Sequence, residues 1–145
     1  KFARYYTGPR YLIAQNELDI SEQYAKGHNY RTYDTGGSVT TTALSVAVKS
    51  GAKEVIFIGL DLAYTDGYAH ATGTSSRSVD TNGRIRVKGV NGDEVYASNV
   101  FIIYRNWIEN EIKKHPDIEF IDATEGGAKI AGTKIMSLED ALKKK

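Results

Sequence analysis

The chain has 145 residues, enough for one hydrophobic core and too short for two ordinary domains. Its 41% hydrophobic and 26% charged residues exclude a disordered or fibrous chain, and a net charge of +1 gives no electrostatic drive towards nucleic acid or an anionic membrane. There is no cysteine, which excludes disulfide scaffolds and thiolate metal sites, and no apolar run approaches a membrane span, so a cytoplasmic protein is expected.

In chain order, Arg10 to Ala14 reads as a strand, and Gln15 to Thr35 is polar with little period, a loop with at most one helical turn. GGSVTTTALSVAVKSG then opens a helix. Val39, Ala43, Leu44, Ala47 and Val48 recur at helical spacing, Ser38 is placed to cap, and Gly51 stops the run. Glu54 to Leu60 is a β-branched and aromatic run expected as a strand covered on both faces, the helix-then-strand order of a parallel α/β unit. Between Ser78 and Ser98, the DTNG and VNGD turns flank an alternating Arg84 to Lys88, which predicts a β-hairpin insertion. Val100, Phe101, Tyr104, Trp107, Ile108 and Ile112 mark one face of a helix that Pro116 ends. Ile118 to Ile121 follows as a short strand, then the loop DATEGGAKIAGT, and Leu138 to Leu142 as a terminal helix. The expected fold is α/β, a single Rossmann-like domain over residues 1 to 145 with helices flanking a sheet and a hairpin inserted at 78 to 98.

Three groups of residues carry chemistry. Gly36, Gly37 and Ser38 stand at a helix start, where unpaired backbone N–H groups welcome a phosphate or carboxylate, although two glycines and a cap also make an ordinary turn. Asp61 follows a strand directly, where an acid can bind a ribose hydroxyl, hold a metal, orient a catalytic partner or simply close an Asx turn. The same loop holds Tyr64, Asp66, Tyr68, His70 and Thr74, of which His70 has an imidazole suited to moving protons near neutral pH. His28 and His115 read as surface residues, and Tyr5, Tyr6, Tyr30 and Tyr33 as packing or a ligand platform. Glu125, Gly126 and Gly127 form a second glycine loop after a strand, and two strand-end loops converge on one crevice in open α/β sheets. No HExxH or paired histidine at metal spacing occurs, so no metal is expected.

Taken together, GGSVTTTAL, VIFIGLDLAYTDGYAHATGT, the helix bearing Trp107, Ile108 and Glu109, and IDATEGGAKIAGT resemble the motility accessory factor (Maf) family of flagellin glycosyltransferases over residues 36 to 133. The wider superfamily includes archaeal 6-hydroxymethylpterin pyrophosphokinase-like proteins, and its core is similar to that of sialyltransferases. The resemblance implies transfer of a nonulosonic, sialic-acid-like sugar from a CMP-activated donor to Ser or Thr hydroxyls of a protein acceptor such as flagellin, with no cofactor required. It implies His70 and Asp61 as the catalytic pair, with Gly36, Gly37, Ser38, Tyr64, Tyr68, Thr74, Glu125, Gly126 and Gly127 binding substrate. Only TGPR at residues 7 to 10 stands where the family has an upstream glycine-rich phosphate loop, so a piece of a longer protein with an incomplete donor pocket is expected. Two other readings remain: a magnesium-dependent pterin pyrophosphokinase using Asp61 and Asp66, and a noncatalytic module that binds a nucleotide or a protein partner.

Overall fold

The structure is a computed structural model, and it describes residues 5–64 and 84–143. The fold is mixed α/β, and its contacts divide the chain into two compact units, Lys1–Thr35 and Gly36–Lys145.

In the first unit, β1 (Ala14–Gln15) pairs in parallel with β2 (Thr32–Tyr33), and α1 (Asp19–His28) joins them. Two expectations are corrected here. The strand expected at Arg10 to Ala14 is instead the two residues Ala14–Gln15, and the expected loop holds a ten-residue helix. Its start is tied by side chains from its first turn, because Ser21 Oγ accepts the Gln15 N–H at 2.7 Å and a Glu22 carboxylate oxygen accepts the Glu17 N–H at 2.8 Å. Asn29, at φ 56°, closes it in the left-handed conformation that asparagine tolerates better than most residues. The periodic signal is weak because Ala25 alone is buried, while Ile20 and Tyr24 face outward.

The second unit is organised on a three-stranded parallel sheet in the order β3-β6-β7, made of β3 (Glu54–Phe57), β6 (Glu119–Asp122) and β7 (Lys134–Ile135). The helix α2 (Val39–Lys49) precedes β3, α3 (Asn99–Lys114) precedes β6, and α4 (Leu138–Lys143) closes the described chain. Strand alternation divides the core. Val55, Phe57 and Phe120 face a cluster with Leu44, Ile108, Ile112 and Ile130, whereas Ile56 and Ile121 face Ala123, Met136, Leu138 and Ala141.

Ser38 caps α2 in a reciprocal box. Its hydroxyl accepts the Thr41 N–H at 3.2 Å, and the buried Thr41 hydroxyl accepts the Ser38 N–H at 3.1 Å. Val39 does not join the apolar stripe and is 87% exposed; Val100 at the start of α3 is likewise exposed. The strand expected to reach Leu60 stops at Phe57, where Ile58 turns out to solvent and Gly59 takes φ 62°. Between β3 and α3, β4 (Ile85–Lys88) and β5 (Glu94–Ala97) pair antiparallel through the turn at Gly89 to Asp93, with Arg84 and Arg86 exposed. Residues 78 to 83 of the expected insertion lie outside the described residues. Among the described residues no helix is long and apolar enough to cross a membrane.

Candidate functional site

The short connections α2–β3 and α3–β6 make each helix run antiparallel to the strand after it. The N-terminal ends of α2 and α3 therefore stand over the carboxyl ends of β3 and β6, the end of a parallel sheet where ligands bind. Packing agrees with this topology. A groove of about 280 Å³ is lined by Thr40, Ala43 and Ala47 of α2 against Val55 to Leu60 of β3 and its loop.

Two of the expected site segments touch at this end, and a third, the Gly36–Ser38 turn, packs on the same helix, α3. Gly127, at φ 81°, lies directly on the Asp61 backbone, so close that a Cβ would come within 2.2 Å of the Asp61 carbonyl oxygen. The next N–H, from Ala128, donates to that oxygen at 2.7 Å, and Leu60 N–H donates to Thr124 Oγ1 at 3.2 Å. The Gly89 turn joins the same knot, where Val90 N–H donates to Gly127 C=O at 3.1 Å. Gly36 and Gly37 approach from the α2 side. A Cβ on Gly36 would meet the Trp107 ring at 2.5 Å, and one on Gly37 would touch Tyr104 at 3.3 Å. One turn nearer the start of α3, Phe101 packs on the Tyr64 ring with centroids 5.5 Å apart. The α3 face from Phe101 to Trp107 thus bridges the Gly36–Ser38 turn and the Asp61–Tyr64 loop.

Several of these residues have structural reasons to be what they are. Gly36 makes room for Trp107, Gly37 takes φ 88°, and the Ser38 side chain is engaged as a cap. The Ser38–Thr41 box leaves the Val39 and Thr40 N–H groups as the outward donors of this turn, since first-turn amides have no intrahelical acceptor. The Tyr64 ring is held between Phe101 and the Arg84 guanidinium, 5.3 Å from its centroid, and Tyr64 N–H donates to Tyr96 C=O at 2.8 Å. Glu125, at φ 66°, is exposed, and a Cβ on Gly126 would meet open space. His70, Tyr68, Thr74 and Asp66 lie outside the described residues.

Sequence reasoning overlooked Asp122. It ends β6, is 2% exposed, and accepts the Thr124 N–H through Oδ1 at 3.1 Å, while Oδ2 is buried with no hydrogen bond among the described residues. The acid that opens DATEGG, directly after an apolar strand run, was the available signal. Among the described residues no three His, Asp or Glu side chains gather in a way that would hold a metal ion. In the first unit, Tyr24, His28 and Tyr30 stack on the surface, with Tyr24 and His28 ring centroids 4.2 Å apart.

Residues 1–67 match the family model of 6-hydroxymethylpterin diphosphokinase MptE-like proteins. No curated protein matches the chain. Among solved structures, the MAf glycosyltransferase from Magnetospirillum magneticum AMB-1 is similar, with a TM-score of 0.58 and 22% identity over 73% of this chain and 16% of that one. The first match lies in the sequence of residues 1–67, and the second shows a shared α/β fold.

Proposed function

We propose that the chain is a glycosyltransferase-type domain with a Rossmann-like, sialyltransferase-like core, which transfers a nonulosonic sugar from a CMP-activated donor to a Ser or Thr hydroxyl of a protein such as flagellin. The observation that supports this reading is the contact of the Gly127 loop with the Asp61 loop after β3 and β6, beside a groove between α2 and β3, in a fold shared with a glycosyltransferase. In this scheme the outward N–H groups of Val39 and Thr40 meet the donor phosphate, aided by the positive end of the α2 dipole. Asp61 binds a ribose hydroxyl or orients His70. His70 takes the proton of the acceptor hydroxyl as its oxygen forms a bond to the sugar's anomeric carbon, and the bond from that carbon to the phosphate breaks, releasing CMP.

His70→Ala tests the assignment. Transfer from a CMP-sugar to a Ser/Thr peptide is expected to fall by about 10²- to 10⁴-fold with donor binding retained. Undiminished transfer would remove His70 from the mechanism.

A second reading is favoured by the family match over residues 1–67, transfer of a diphosphate from ATP to 6-hydroxymethylpterin with release of AMP. In that reading Asp61 and Asp66 would hold magnesium, which would supply charge neutralisation on the phosphates. Incubation with ATP, the pterin and magnesium separates the two, because AMP formation that needs the pterin belongs to this reading alone.

A further inference from the structure

The turn that carries Asp61 is held in a conformation that one of its residues does not choose freely. Gly59 takes φ 62° without steric cost, but Leu62, 8% exposed, is a branched residue held in the left-handed region at φ 48°. Such strain persists only where neighbours over-determine the backbone. The neighbours are identifiable. Thr124 Oγ1 accepts the Leu60 N–H, and Ala128 N–H donates to the Asp61 carbonyl, so the backbone is gripped on both sides of the Asp61 Cα. Thr124 is fixed in turn by its own N–H, which donates to Asp122 Oδ1. Asp122 is a costly residue for that task, since its other carboxylate oxygen is buried without a hydrogen bond among the described residues and stability alone would favour an apolar strand end.

We propose that Asp122 and Thr124 form a positioning relay. Asp122 fixes the Thr124 backbone, and the Thr124 hydroxyl fixes Leu60, which holds the strained turn so that the Asp61 carboxylate keeps one direction at the end of the sheet. The consequence for ligands rests on the reading of Asp61 as a site residue; the relay itself does not.

The test uses the isotope-labelled chain and compares Thr124→Val, Thr124→Ser and Asp122→Ala with the unmodified protein. Two signals need no ligand: the exchange rate of the Leu60 amide and the carboxyl carbon resonance of Asp61. Thr124→Val, which removes the acceptor at nearly constant volume, should speed Leu60 exchange at least about fivefold, the equivalent of one ordinary hydrogen bond, and displace the Asp61 resonance. Thr124→Ser should restore both, and Asp122→Ala should repeat the Thr124→Val changes. The relay is overturned if the Leu60 amide of the unmodified chain is unprotected, if Thr124→Val leaves the Asp61 resonance in place, or if Thr124→Ser behaves like Thr124→Val. Should Thr124→Val fail to fold, the unmodified Leu60 protection and the Thr124→Ser spectrum still decide. CMP then serves as the ligand probe, with Thr124→Val weakening its binding and Thr124→Ser not. If Asp61→Asn leaves CMP binding unchanged, the site reading of Asp61 fails while the exchange and carboxyl signals continue to judge the relay.

Discussion

Two adjacent glycines, Gly126 and Gly127, are indistinguishable as letters and opposite in the structure. A methyl group on Gly127 would enter the Asp61 backbone and strain a residue at φ 81°, whereas one on Gly126 would meet open space. Gly127→Ala is therefore expected to destabilise the chain by about 1–3 kcal/mol or more, read as a lowered denaturation midpoint, and to disturb the Asp61 turn. Gly126→Ala should stay within about 0.5 kcal/mol of the parent, so equal midpoints for the two variants would contradict the contact. The sequence showed that a glycine loop follows a strand; it did not show which glycine packs and which faces solvent, because that depends on the Asp61 turn, more than sixty positions earlier. Asp122 was missed for a similar reason, since its hydrogen bond to Thr124 marks it as part of the loop only once the strand's end is known.

Elements were legible where burial gave them a period. The helices α2 and α3 announced themselves through Leu44 and through Phe101, Tyr104, Trp107, Ile108 and Ile112, residues that do pack in the main core. Ser38 was readable as a cap, and the reciprocal hydrogen bonds with Thr41 make its removal measurable. Ser38→Ala is expected to cost about 1 kcal/mol in denaturant unfolding, within the range of about 0.5–2 kcal/mol for cap removal. No loss would mean that the box does not hold the helix start. By contrast, α1 was hidden because Ala25 is its one buried residue, and its outward Ile20 and Tyr24 give no core-facing stripe. Ten residues with so little packing make a marginal helix. Amides within α1 should accordingly exchange faster than those around Ile108 and Ile112 in α3, and equal protection would show that α1 is stabilised by more than its own turns.

On the scale of the whole molecule, parallel strands preceded by helices bring segments distant in sequence to one end of the sheet. Residues 61 to 64 and 125 to 127 meet there through the Gly127–Asp61 contact, and α3 packs on Tyr64 through Phe101 and on the Gly36–Gly37 turn through Tyr104 and Trp107. The α/β class was readable from the order of the helix and strand runs. The meeting of the loops was only an expectation, because contact between them depends on strand order and helix direction. Amide resonance mapping during titration with CMP, with and without magnesium, tests the central claim of a nucleotide site at this end most directly. Shifts at Gly36 to Thr40, Asp61 and Glu125 to Gly127 in the absence of magnesium are the expected result. A CMP response confined to other surfaces, or a response at these residues to ATP with magnesium and none to CMP, would contradict it.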